Sequence, residues 1–245
     1  MNEADPPILI TLDDQKGFIW DADDWLKLRK EHRIVGNLIG SLANIPRQDV
    51  VRGMPMVLLP EEVTLLLEKN IAVLMKVSDE TEPDAKKEEY KQYLEKVQKE
   101  QEEFLSKSRL VNRKISYKMK QFFLGFNIKS NPWLKETMLC QGEWPYPKTA
   151  FETLKYRVFK DLWEKGLYLT NGSKFGGHFL AYPGDPLKFH AFYVVVVHLP
   201  ENSISPLDLV RHARLGTHTK KTFVIASTNS ENRIIYSSFE WTGKT

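Results

Sequence analysis

Three side chains in the last third of the chain have the chemistry to move protons and to hold charge on a phosphate. Tyr182 opens the run Tyr182-Pro183-Gly184-Asp185-Pro186, His190 follows it, and Lys221 closes Arg214-Leu215-Gly216-Thr217-His218-Thr219-Lys220-Lys221. A tyrosine or a histidine can take or give a proton in a transition state. A lysine can stabilise negative charge developing on phosphate oxygens. Such a set can cleave RNA without a metal. No spacing rule links the three, and each has a plainer reading: a strand-end aromatic, a satisfied histidine at a strand start, and one more surface lysine beside Lys220.

The elements that must position them read clearly from residue 149 onward. Thr149-Ala150-Phe151-Glu152 fits a capping box. Phe151, Leu154, Val158 and Leu162 then mark one helical face, widened by Phe159 and Trp163, and Gly166 ends the helix. Residues 167–170 read as a strand and Asn171-Gly172 as a turn. Residues 177–182 form a second strand, followed by a turn at Pro183-Gly184-Asp185. Residues 190–199, with four consecutive valines, read as a strand buried on both faces. Ser205-Pro206-Leu207-Asp208 opens a further helix, with serine at the cap and proline at its first position, and Gly216 is expected to close it. Residues 222–227 and 234–239 make a final strand pair.

Two other chemistries compete for this region. Gly172, Gly176 and Gly177 enclose Ser173-Lys174-Phe175, which is either a phosphate cradle or a hairpin needing glycine geometry. A strand follows rather than a helix, and the P-loop spacing is absent, which favours the hairpin. His178, His190, His198, His212 and His218 show no two-histidine helical pair and no neighbouring carboxylate cluster, so no metal site is expected. Asp185, in its Pro-Gly-Asp-Pro setting, reads as a turn residue.

The first 80 residues read as a small mixed α/β domain. Residues 8–12 and 17–20 flank Asp13-Asp14-Gln15-Lys16 as a hairpin. Asp21 caps a helix over 22–32 with Trp25, Leu26 and Leu28 as its apolar side. Residues 55–59 are a strand, Pro60-Glu61-Glu62 opens a helix ending near Asn70, and 71–77 form another strand. Residues 81–148 are a charged, largely helical linker region. Tyr90, Leu94, Val97 and Phe104 form a thin stripe that fits a solvated helix with one packed face or a partner-binding helix. Trp133, Trp144 and Tyr146 among Pro132, Pro145 and Pro147 suggest an extended, aromatic-anchored segment.

Composition agrees with a globular protein: 42% of 245 residues are hydrophobic and the net charge is +3. The mild basicity suits an anionic partner. A single cysteine, Cys140, excludes an internal disulfide and a cysteine-based zinc site and suggests a reducing compartment. Residues 1–5 are polar and acidic, and the apolar runs 71–75 and 191–197 are too short to cross a bilayer, so a soluble intracellular protein is expected.

Taken together, Tyr182-Pro183-Gly184-Asp185-Pro186, His190, Arg214-Leu215-Gly216-Thr217 and Lys221-Thr222 resemble the catalytic domain of tRNA-splicing endonuclease, and within it the eukaryotic catalytic subunit that cuts the 3′ splice site. Val158-Phe159-Lys160-Asp161-Leu162-Trp163-Glu164-Lys165-Gly166 and Leu169-Thr170-Asn171-Gly172-Ser173-Lys174-Phe175-Gly176-Gly177 match as well. The likeness is looser at Pro46-Arg47-Gln48 and Leu58-Leu59-Pro60-Glu61-Glu62, and no motif of 81–148 matches. The resemblance implies an α/β chain with a restriction-endonuclease-like nuclease domain over 149–245. It implies Tyr182, His190 and Lys221 as catalytic residues, with Tyr182 and His190 exchangeable as base and acid. Arg214 and Trp241 would sandwich a nucleobase for the other catalytic subunit. It further implies a pre-tRNA substrate, metal-independent cleavage to a 2′,3′-cyclic phosphate and a 5′-hydroxyl, no cofactor and nuclear localisation. The implied partners are a second catalytic subunit and two non-catalytic ones, with no membrane. The alternatives are a non-catalytic subunit of the same complex and a self-sufficient archaeal-type enzyme.

Overall fold

The computed structural model describes residues 7–40, 52–77 and 139–241, with single positions 95 and 243. Pro46-Arg47-Gln48 and, apart from Glu95, the expected helical stretch up to residue 138 lie outside the described residues. The chain divides into one unit of residues 1–76 and 141–245 and a second of residues 77–140. The first unit contains every candidate site residue, the whole of the C-terminal sheet and the first four strands of the N-terminal one.

In the N-terminal domain, β1 (Ile8–Asp13) and β2 (Lys16–Ile19) form the expected hairpin. Asp14 and Gln15 both take positive φ, 42° and 58°, the backbone that matches the twist of a two-residue hairpin. Asp21 caps α1 (Ala22–Glu31) by accepting from Asp23 N–H at 2.8 Å. The buried side of α1 differs from expectation: Leu26 is 38% exposed, whereas Leu28 and Arg29 are buried. A charged residue can occupy that place because its guanidinium is paired with the Asp185 carboxylate.

Strands β3 (Asn37–Gly40) and β4 (Gly53–Val57) come next. The strand expected over 55–59 stops at Val57 because Leu59 N–H turns to the Glu62 carboxylate and starts α2 (Pro60–Glu68). Asn70, at φ 54°, ends that helix before β5 (Ala72–Val77). With β6 (Leu139–Gln141), these strands form a mixed sheet of order β3-β4-β2-β1-β5-β6, in which β1 and β5 are parallel.

The C-terminal domain has the expected element order. Helix α3 (Ala150–Glu164) starts at the predicted box: Thr149 Oγ1 accepts from Glu152 N–H, and the Glu152 carboxylate accepts from Thr149 N–H. Then come β7 (Tyr168–Asn171), β8 (Phe179–Tyr182), β9 (Tyr193–Val197), α4 (Pro206–His218), β10 (Thr222–Thr228) and β11 (Ile234–Phe239). The sheet order is β11-β10-β9-β8-β7, with β9 and β10 parallel and the other pairs antiparallel.

Alternation sorts its two faces. Phe179, Ala181, Val195, Val197 and Ala226 join the core that contains Phe159 and Leu162 of α3. Leu180, Val194, Phe223 and Ile225 form a second core with Leu209 of α4. The α3-side core is continuous with that of the N-terminal domain through Val63, Leu65 and Leu66 of α2.

Two expectations at glycines are corrected. Gly216 lies inside α4, which runs on to His218. Its role is close approach: a Cβ there would meet the Lys221 carbonyl oxygen at 2.7 Å. Asn171-Gly172 is no two-residue turn. It leads into a short 3₁₀ turn, Ser173–Phe175, closed by Gly176 at φ 70°.

Candidate active site

The fold brings the ends of three strands to one edge of the second sheet. Tyr182 is the last residue of β8. Ala181 lies opposite Tyr193, and Tyr193 lies beside Thr222, so Tyr182, Phe192 and Lys221 stand at the same edge of β8, β9 and β10. Phe192 stitches this edge together: its N–H donates to Ala181 O at 2.9 Å, and its carbonyl accepts from Thr222 N–H at 2.8 Å. At about 4.8 Å per strand, the backbones at Tyr182 and Lys221 are roughly 10 Å apart.

His190 is in the loop before β9 rather than at a strand start, since β9 begins only at Tyr193, and its side chain is exposed. The Tyr182 hydroxyl is 3.4 Å from Thr170 Oγ1. Lys221 Nζ donates to Thr219 O at 3.0 Å and lies 4.8 Å from the centre of the Phe175 ring. Phe175 and Tyr182 both pack on the α4-side core, so Tyr182 and Lys221 border one aromatic wall. Hollows flank the edge. One of about 740 Å³ opens beside Tyr182, and one of about 440 Å³ opens beside Lys221 and Trp241.

The loop between Tyr182 and His190 is held by a residue that carries no signal in the sequence. Arg29 of α1 makes a two-pronged ion pair with Asp185, Nε to Oδ2 at 2.9 Å and Nη2 to Oδ1 at 2.6 Å. Asp185 also organises its own loop. Its Oδ1 accepts from Leu187 N–H at 2.8 Å, and its carbonyl accepts from Lys188 and Phe189 N–H. The guanidinium beside it holds the Asp185 carboxyl below the usual carboxylate range. Asp185 is thus the expected turn residue and also the tie between α1 and the loop that carries His190. Arg29 and Asp185 are 156 residues apart, and no local pattern pairs them.

His178, assigned no role from sequence, is structural. Its Nδ1 accepts from Val197 N–H at 2.9 Å, its ring meets Phe151, and burial pushes its pKa down. Arg214 and Trp241 do come together, with the guanidinium carbon 5.5 Å from the indole centre. A base held between two flat groups needs about 7 Å, so the pair must part to admit one. Among the described residues, no group of three His, Cys, Asp or Glu stands together at metal-binding distance, and no helix is long and apolar enough to cross a membrane.

Comparison with known proteins fits this geometry. Residues 8–77 match the family model "TSEN34-like, N-terminal domain", and residues 153–236 match "tRNA intron endonuclease, catalytic C-terminal domain". A protein of Schizosaccharomyces pombe described as a probable tRNA-splicing endonuclease subunit sen34 is 31% identical over 245 aligned residues, covering 89% of this chain and 86% of that protein. The chain belongs to the Sen34 family of tRNA-splicing endonuclease subunits. The human Sen34 subunit is 42% identical over 99 residues, and that match covers 40% of this chain but 32% of the human protein, so the likeness spans about a third of that relative. The tRNA-splicing endonuclease of Methanopyrus kandleri is 39% identical over 88 residues, 49% of its length. Within this Sen34-family chain, the stretch similar to the catalytic domain contains Tyr182, His190, Arg214 and Lys221, while Trp241 lies just beyond it. Arg29 belongs to the stretch similar to the TSEN34 N-terminal domain.

Proposed function

We propose that this chain is the catalytic subunit of a tRNA-splicing endonuclease that cuts pre-tRNA at the 3′ splice site. The reading is supported by Tyr182 and Lys221 standing at one sheet edge, with His190 in the exposed loop that leads into β9, inside the stretch similar to the catalytic domain. In the reaction the RNA's own 2′-hydroxyl attacks the adjacent phosphorus. The O–H bond breaks, an O–P bond forms, and the bond from phosphorus to the 5′-oxygen breaks, leaving a 2′,3′-cyclic phosphate and a 5′-hydroxyl.

Tyr182 takes the 2′ proton and His190 gives a proton to the departing 5′-oxygen; the exchanged assignment balances equally. Lys221 faces the non-bridging oxygens. One ammonium N–H is spent on Thr219 O, which orients the group and leaves two for phosphate. A positioned acid or base supplies roughly 10²–10⁴ in rate and preorganised charge roughly 10²–10³.

The chain acts with a second catalytic subunit and two non-catalytic ones, in the nucleus. Strand β11 is an edge strand of its sheet with Ile235 exposed, which suits it to pair with a related subunit. The Arg214–Trp241 pair serves a base at the other catalytic centre. The test is a reconstituted complex carrying His190→Ala. It should lose 3′-site cleavage, keep 5′-site cleavage and, before substitution, remain active in EDTA. Normal 3′ cleavage by the His190→Ala complex would overturn the assignment.

A further inference from the structure

The 740 Å³ hollow beside Tyr182 is built jointly by both domains. One wall is Gly36 and Asn37 at the start of β3, Arg52, and the segment from Val57 to Leu59. The other is Thr170 and Asn171 at the end of β7, the 3₁₀ turn with Ser173, Lys174 and Phe175, and Leu180 and Tyr182 of β8. Phe175 and the half-buried Leu59 supply apolar surface, while Asn37, Asn171, Ser173 and Lys174 bring polar groups to it. The N-terminal wall is fixed from behind. The buried Glu62 carboxylate accepts from Val35 N–H at 3.1 Å, Gly36 N–H at 3.0 Å and Leu59 N–H at 2.8 Å, tying the segment before β3 to the start of α2. The opposite wall is fixed by the Asn171 side chain, which accepts from Ser173 N–H at 2.8 Å.

Flat apolar surface ringed by amide, hydroxyl and ammonium groups suits a nucleobase and its phosphate, and the volume falls in the range of sites for one small ligand. The role of Tyr182 decides which nucleotide, and Tyr182 is taken as the general base. With Tyr182 as the group that takes the 2′ proton, the residue next to it is the one that owns the attacking hydroxyl, on the 5′ side of the cut. We infer that the cleft between the N-terminal domain and the β7–β8 link is a subsite for the nucleotide immediately 5′ of the scissile phosphate, with its base against Phe175 and its polar edge met by Asn37 and Lys174. The inference rests on the proposed 3′-site reaction. It gives the N-terminal domain a direct part in substrate binding.

The experiment uses the reconstituted complex and two pre-tRNAs, one natural and one abasic at that nucleotide. The joint variant Asn37→Ala, Lys174→Ala should raise KM at the 3′ site about tenfold, the scale of one lost base contact, with kcat and 5′-site cleavage kept. The abasic substrate should cost the unsubstituted complex at least as much and cost the variant a smaller factor, because the variant has already lost the polar contacts to that base and keeps only the apolar one. Unchanged KM in the variant, losses that multiply, or a fall in kcat alone would overturn the subsite. Failure of the 3′-site reading is seen separately, as normal 3′ cleavage by the His190→Ala complex.

Discussion

Replacing Arg29 by methionine isolates the tie between α1 and the loop of residues 183–190. The substitution keeps a long side chain in a place that is 8% exposed and removes only the charge and the paired hydrogen bonds. Removing one partner of a fully buried ion pair costs about 3–5 kcal/mol. The Asp185 side chain retains 28% exposure, so water takes up part of its solvation, and the expected loss is nearer 2 kcal/mol. That energy holds the loop against α1, and about 2 kcal/mol is a factor of about 30 in the ratio of docked to undocked loop. The assay is cleavage of intron-containing pre-tRNA by the reconstituted complex, with both cuts followed in one reaction. Cleavage at the 3′ site should fall at least tenfold in kcat, with the 5′ cut and assembly preserved. The swap Arg29→Asp with Asp185→Arg should recover part of the loss. The sign with pH is fixed too. The Asp185 carboxyl is depressed in the folded state, so its contribution is present above the unfolded value and is lost as pH falls through the folded one. Full 3′-site kcat in a folded Arg29→Met complex would refute the reasoning, and so would equal loss at both cuts.

Three further outcomes are expected from the same structure. Burial pushes the Glu62 carboxyl up to about 7 against three backbone N–H groups, so the folded state holds a proton that the unfolded chain releases near 4.5. Stability should therefore fall by about 3 kcal/mol as pH rises from 4.5 to 7, seen as a falling Tm, and Glu62→Gln should flatten that slope whatever its own offset. Gly216→Ala should push α4 off the Lys221 carbonyl, costing about 1–3 kcal/mol in urea unfolding and lowering 3′-site kcat. Equal stability would show that the contact yields freely. Arg214→Ala should weaken the 5′ cut more than the 3′ cut, in a two-site cleavage assay; uniform loss would point to misfolding.

Much of the fold is legible in the sequence because its signals are local. The Asp21 cap, the Thr149–Glu152 box and the hairpin at Asp14-Gln15 each depend on residues within four positions. The common edge of Tyr182 and Lys221 is also within reach, since both stand at the ends of recognisable strands. Where sequence and structure part, the cause is distance along the chain. Arg29 and Asp185 pair across 156 residues, so a cation holds the buried place that helical spacing gives to Leu26. A glycine near a helix C-terminus usually marks its end, but the use of Gly216 for close approach depends on where Lys221 returns. The hollow beside Tyr182 has walls from two domains, and no window of sequence contains both.

The parallel pairing of β9 with β10 has a further consequence. Parallel neighbours both begin at the same side of a sheet, so helix α4 must carry the chain back before β10 starts. His190 and Lys221 are therefore delivered to one side by connectivity itself. The loops of residues 198–205 and 229–233 emerge on the far side, away from Tyr182 and Lys221. On the proposed function, a tag or label between residues 199 and 204, short of the Ser205 cap, should leave 3′-site cleavage unchanged.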